Sequence, residues 1–113
     1  MVKTAVPVRI KGVCSPLSIP LSAAKVGASV DVLKALADPT RLQMVGALKR
    51  SSQPVCICDF TAAFNLSQPT ISHHMGKLRD AGLVEVTKKG IWAYYRLADH
   101  LEPRTRALLD VLV

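Results

Sequence analysis

Acidic residues are scarce in this chain, with 8 Asp and Glu against 15 Lys and Arg, and only two of the eight, Glu85 and Glu102, are glutamates. Paired carboxylates in a pocket-forming pattern are absent, and so is a glycine-rich loop. An enzyme with acid–base or Cys/His nucleophilic chemistry therefore has little to work with. Long apolar runs are missing too. The first twenty residues are broken by Lys3, Pro7, Arg9, Lys11, Pro16 and Pro20, which leaves neither a membrane span nor the apolar core of a signal peptide. The expected location is cytoplasmic, with no membrane partner. There are three cysteines, an odd number, and in a reducing compartment that argues against a disulfide framework and for metal or redox chemistry. With 113 residues at 50% hydrophobic content, the chain can build one domain with a modest core. Its net charge of +7 suggests a polyanionic partner, although a ribosomal or membrane-surface protein has the same balance.

The stretch from Ser67 to Gly82 organises the rest. Ser67 is a strong N-cap, Pro69 sits in the first turn where its missing N–H costs nothing, and Gly82 ends the helix after roughly four turns. At ~100° per residue Ile71, His74, Met75 and Leu78 share one face. The opposite face carries Pro69, His73 and Gly76, flanked by Thr70, Ser72 and Lys77. Small, polar and basic, that face suits entry into a DNA major groove.

Upstream, residues 1–20 form an irregular arm whose one chemically loaded residue is Cys14, and residues 21–113 form the domain. Leu21 to Ala37 is apolar over so much of its circumference that it requires more than one partner surface, which suggests a second subunit. Asp38-Pro39 restarts the chain as N-cap and first helical residue. In this second helix Leu42, Val45, Ala47 and Leu48 point inward, with Arg41 solvated or salt-bridged rather than on phosphate. Phe60, Ala63 and Phe64 repeat at helical spacing and should pack against the 67–82 helix, forming a helix-turn-helix through the Asn65-Leu66 link. After Gly82 the period changes to two. Leu83 to Thr87 and Ile91 to Leu97 predict a two-stranded hairpin, with Lys88-Lys89-Gly90 as its turn and two lysines suited to phosphate. Trp92, Tyr94 and Arg96 share one face and Ile91, Ala93, Tyr95 and Leu97 the other; alternation alone leaves open which is inward. Pro103 to Val113 makes a short last helix that must dock to be stable, beside the first helix across the dimer interface.

LSQPTISHHMGKLRDAGLVE closely resembles the reading-helix segment of the ArsR/SmtB family of metal-responsive winged-helix repressors, and Ala35-Leu36-Ala37-Asp38-Pro39-Thr40-Arg41-Leu42 resembles the same family's second-helix signature. The resemblance covers roughly residues 30–97. It implies a mainly α, homodimeric winged helix-turn-helix with a small β-hairpin, bound to two-fold-related double-stranded operator DNA. In that arrangement Gln68, Thr70, Ser72 and His73 would reach base edges, and Ser67, Lys77, Lys88 and Lys89 would hold phosphates.

Thiolates are soft ligands that select thiophilic ions. Cys56 and Cys58 would diverge by ~200° in mid-helix. Just after Pro54, where the chain only enters its helix, an extended or first-turn conformation lets them converge, and the helix dipole should lower their pKa values. The bland alternative is two small buried hydrophobes. V-C-I-C-D-F resembles the family's cysteine motif, in which three thiolates bind As(III) in one branch, and arm cysteines join a C-x-C for Cd(II) or Pb(II) in another. Cys56 and Cys58 match residue by residue, Cys14 only by region. Three sulfurs suit As(III), Sb(III) or Pb(II), whereas structural zinc takes four ligands. The last-helix zinc and nickel site of the family is incomplete, because Asp99-His100-Leu101 lacks its second His and 104–113 contains none. The expected function is repression relieved by As(III) or Sb(III) through Cys14, Cys56 and Cys58. The alternatives are a Cd(II)/Pb(II) sensor and a thiol redox or sulfur switch, and whether Cys14 serves its own or the partner subunit stays open.

Overall fold

The computed structural model of the chain describes residues 10–113. The first nine residues of the expected arm lie outside the described residues. The elements run α1 (Ala23–Leu36), α2 (Pro39–Arg50), β1 (Val55–Cys56), α3 (Ile57–Phe64), α4 (Gln68–Asp80), β2 (Val84–Lys89), β3 (Trp92–Leu97) and α5 (Pro103–Leu112). This is a winged helix-turn-helix: α3 and α4 are the helix pair, β2 and β3 the wing.

Short polar residues start the helices. Ser22 accepts the Lys25 N–H, Asp38 the Arg41 N–H at 2.9 Å, and Ser67 the Thr70 N–H. Prolines at the first or second helical position follow in α2, α4 and α5. The end of α4 is a Schellman motif: Gly82 at φ 78° donates to Arg79 O and Leu83 donates to Leu78 O at 3.0 Å. Leu78 and Leu83, both fully buried, close that turn from the core side. The motif turns the chain directly from α4 into the wing.

One core joins every element. Met44, Val45, Ile71, Met75, Leu78, Leu83 and Leu109 are fully buried, and Phe60 packs edge-on to Tyr95 and stacks with Phe64. In α2 the inward stripe is Met44, Val45 and Leu48; Leu42 is half-buried and Ala47 exposed, which corrects the expected set by part of a turn. Ala63 is likewise exposed, because Phe60 and Phe64, four apart, define the inward face of α3 and Ala63 falls beside it.

The sheet has three strands, not the expected two, in the order β1-β3-β2 and antiparallel throughout. Val55 pairs with Tyr95 and Cys56 with Tyr94. Two residues are too few to show a period, so this strand leaves no pattern in the sequence. The hairpin turn also moves. Lys88 and Lys89 end β2, Lys89 pairs with Trp92, and the two-residue loop is Gly90-Ile91 with Gly90 at φ 62°. A loop of this length with positive φ at its first residue matches the twist of the strands, and only glycine enters it freely. Ala93, Tyr95 and Leu97 form the inward face of β3; Tyr95 is buried while Trp92 stays exposed.

α1 buries only Ala35 and Leu36, leaving Leu21, Val26, Val30 and Leu33 exposed beside its length. α5 is anchored by Leu109, while Val111 and Leu112 face outward. Among the described residues no helix is long and apolar enough to cross a membrane.

Candidate nucleic-acid interface and thiol pair

Ile71, Met75 and Leu78 are pinned in the core, so the rest of the α4 circumference is set. Gln68, Ser72, His73 and Lys77 are exposed on its outer side, and Thr70 is half-buried at its edge. Ser67 is partly used by the cap, its hydroxyl lying 2.8 Å from Thr70 Oγ1. His74, which shares the inner side by its wheel angle, is half-buried and takes part in a polar cluster instead of the apolar core. Lys88 and Lys89 are exposed near the wing tip, with Lys89 Nζ 5.8 Å from the Tyr94 ring centroid, within cation–π range. The eight side chains named from the sequence thus divide between the outer side of α4 with its cap and the end of the wing, joined by the Gly82 turn.

The polar cluster centres on Arg41. Its Nε donates to Ala35 O at 2.7 Å and its Nη2 to Lys34 O at 3.4 Å, both carbonyls in the last turn of α1, while Nη1 lies 3.3 Å from His74 Nδ1. Arginine has donors only, so a bond there needs His74 Nδ1 as acceptor, with the ring proton on Nε2. Arg41 therefore ties α1, α2 and α4 together. Asp38 completes the cluster. The Arg41 N–H bond to its carboxylate, with the Arg41 and His74 charges, holds its pKa below 3.8 against a smaller opposing effect of burial. On the wing, Arg96 bridges Glu85 and Asp99, each at 2.6 Å, which lowers Asp99 and raises Arg96. Burial raises the Tyr95 phenol, partly offset by Arg79 and the Ser72 hydroxyl.

The thiol pair sits where β1 becomes α3. Cys56 is the N-cap, extended at φ −68° and ψ 144°, and Cys58 lies in the first turn. The two side chains converge, with Cys58 Sγ donating to Cys56 Sγ at 2.8 Å and the Cys58 N–H also pointing at Cys56 Sγ. Asp59 closes the cap from below by accepting the Cys56 N–H at 3.2 Å. Cys56 is buried and Cys58 exposed, so the pair opens to solvent through Cys58. The expected fall in thiol pKa is not found at Cys58, which is raised by its hydrogen bond to Cys56, by desolvation and by the neighbouring charges of Cys56 and Asp59. The helix dipole is outweighed at this site by a second thiol in contact. Cys14 is exposed, just beyond a turn in which Val13 donates to Ile10 O and Gly12 takes φ 80°. Among the described residues no three His, Cys, Asp or Glu side chains gather as an ion site, so one chain brings Cys56 and Cys58 together but not Cys14. Two soft sulfurs side by side at an opening fit a thiophilic ion as a bidentate half-site.

Against known proteins, residues 38–86 match the family described as "Bacterial regulatory protein, arsR family". An arsenical resistance operon repressor of Escherichia coli is 38% identical over 81 residues, 72% of this chain and 68% of that protein. The chain belongs to the arsR family. An arsenic resistance transcriptional regulator of Pseudomonas putida is 42% identical over 82 residues, 73% of this chain, and the match spans 63% of that protein's length. In structure, the homodimeric winged helix-turn-helix DNA-binding domain of a possible ArsR-family regulator from Mycobacterium bovis superposes with a TM-score of 0.68 at 26% identity, covering 84% of this chain and 86% of that one.

In this ArsR-family chain three features of the site escaped the sequence reading. The Arg41 cluster joins residues up to 33 positions apart, and no local pattern signals that. Asp59 was visible, since an acid three residues after a helix N-cap is half of a capping box. Ile91 and Trp92, assigned to a strand, stand at the wing tip, and the glycine before them was the available signal.

Proposed function

We propose that this chain is a transcriptional repressor that binds operator DNA as a homodimer and lets go when As(III) or Sb(III) binds its thiolates. The observation that carries the reading is the Cys56–Cys58 pair, with sulfurs 2.8 Å apart at the start of α3, the helix packed against α4. The exposed apolar residues of α1 and of the α5 end support a dimer, as does the homodimeric relative of the same fold. Gln68, Thr70, Ser72 and His73 would read bases while Ser67, Lys77, Lys88 and Lys89 hold phosphates, one α4 per half-site about one helical turn apart. The names of the Escherichia coli and Pseudomonas putida relatives support an arsenical inducer.

Cys56 and Cys58 would hold the ion, with Cys14 of the partner subunit as third ligand, since one chain does not bring the three together. The ion supplies a soft three-way crosslink when bound. For it to release DNA, the tethered arm must favour a dimer whose two α4 helices no longer match adjacent grooves. A coupling of ~1–3 kcal/mol gives a roughly 5–150-fold loss of affinity.

The test is fluorescence anisotropy on the protein's own promoter DNA, titrating arsenite, antimonite, Cd(II), Pb(II) and Zn(II) beside Cys14→Ser. Release by arsenite or antimonite that Cys14→Ser abolishes supports the reading. Release by Cd(II) or Pb(II) alone changes the ion. Insensitivity to all five ions with sensitivity to a thiol oxidant converts the pair into a redox switch. Loss of DNA binding in ion-free Cys56→Ser would count against a sensor, whose ligands matter for release and not for repression.

A further inference from the structure

The wing ends in an exposed arrangement that phosphate binding alone does not use. Ile91 is 85% exposed and Trp92 47%, the two large apolar side chains of the hairpin tip. The pairing of Lys89 with Trp92 and Lys88 with Ala93 places them by face. Side chains alternate along a strand, so Lys88 and Ile91 project on the inward side of the ribbon and Lys89 and Trp92 on the outer side. Each face of the tip thus presents one cation and one large apolar group. A solubilising turn would carry polar residues here, and a surface made only for phosphate has no use for an isoleucine in water.

From these positions, we propose that Ile91 is an apolar wedge entering the DNA minor groove beside the half-site contacted by α4, with Lys88 and Lys89 against its two phosphate walls and Trp92 at the rim. The proposal rests on the DNA-binding reading above. Six residues of β2 at ~3.3 Å each carry the tip roughly 20 Å from the end of α4, enough to cross one backbone into the neighbouring groove. That groove is about 6 Å wide: too narrow for a two-stranded ribbon, but open to one side chain at its apex. A lysine on each side of the ribbon matches a slot walled by phosphate on both sides. An inserted aliphatic group makes no hydrogen bonds and is blocked by the guanine N2 amino group. Ile91 therefore favours A·T over G·C, and easily unstacked steps over stiff ones, at positions α4 does not touch.

The test compares the wild-type dimer with Ile91→Ser and with Lys88→Gln/Lys89→Gln on promoter duplexes across a salt series. Serine suits the second position of a Gly-led two-residue turn, so the hairpin is kept. Ile91→Ser should weaken binding on the order of ten-fold with an unchanged salt slope. The double lysine variant should lower the slope by about 0.9 for each phosphate it no longer neutralises. In the wild type, replacing flanking A·T pairs by G·C should weaken binding, whereas inosine·C, which keeps the A·T pattern of the minor groove, should not; Ile91→Ser should lose this discrimination. Equal affinity of Ile91→Ser and wild type overturns the wedge, and so does weaker binding accompanied by a shallower slope, because the lysines would then have left the backbone with the tip. A wild-type dimer with no affinity for any duplex would remove the DNA-binding reading itself, a distinguishable result.

Discussion

Replacing Arg41 by Met tests whether the cluster between α1, α2 and α4 is structural or faces a phosphate. Methionine keeps the apolar stem and the helix propensity of position 41 and removes only the guanidinium. Three interactions go with it: the 2.7 Å bond to Ala35 O, the 3.4 Å bond to Lys34 O and the 3.3 Å approach to His74 Nδ1. Ala35 and Lys34 are among the last four residues of α1, whose carbonyls have no partner inside the helix. The short charge-assisted bond contributes ~1.5–3 kcal/mol and the two longer ones ~0.5 kcal/mol each at most. Arg41 is half-exposed, so water recovers part of this, and the net loss is about 2 kcal/mol.

For a domain of this size, a loss of about 2 kcal/mol lowers Tm by roughly 8–12 °C, measured at one protein concentration because a dimer's Tm depends on it. The same variant should bind promoter DNA with an unchanged salt slope, since Arg41 spends its donors inside the protein. A fall in Tm below ~2 °C would refute the structural role. A salt slope shallower by about 0.9 would place the guanidinium on a phosphate instead.

Asp38→Asn keeps a good N-cap and removes the charge beside Arg41 and His74. The folded-state pKa of Asp38 lies below 3.8, so its contribution is present above that value and fades as pH falls through the lower folded pKa. The stability gap between wild type and Asp38→Asn in urea titrations should therefore be larger at pH 6 than at pH 3, and a gap independent of pH would contradict the assignment. In the metal-free protein Cys58 should alkylate slowly at neutral pH, with a titration midpoint above the ordinary 9.0, and Cys56→Ser should bring that midpoint down; iodoacetamide rates across pH read both, and an unmoved midpoint would remove Cys56 as the cause. Gly82→Ala should cost about 1 kcal/mol, because a Cβ there meets nothing within 4 Å and the loss comes from the φ of 78° alone. Chemical denaturation checks the value, and a neutral substitution would show that the Schellman turn tolerates side chains.

What was legible in the sequence was whatever is encoded within about four residues. The caps at Asp38 and Ser67, the glycine stop at Gly82 and the Ile71/Met75/Leu78 stripe are local, and α2 and α4 stand where those signals put them. The convergence of Cys56 and Cys58 was legible for the same reason, because a residue after Pro54 and before a helix has few conformations open to it. The third strand was hidden because Val55-Cys56 is extended through its partner, β3, forty residues on. The turn moved by one residue because two lysines before a glycine look like a loop by polarity, whereas the register is set by the buried pairing of Val84 with Leu97 and Val86 with Tyr95. That shift decides the character of the wing tip. With Lys88-Lys89-Gly90 as the turn, the apex is purely cationic and Ile91 opens a strand. With Gly90-Ile91 as the turn, the lysines withdraw to either side and the aliphatic group becomes the leading point. A one-residue register difference thus separates a wing that only neutralises phosphate from one that also probes groove shape, and the core pairing of β2 with β3 selects the second.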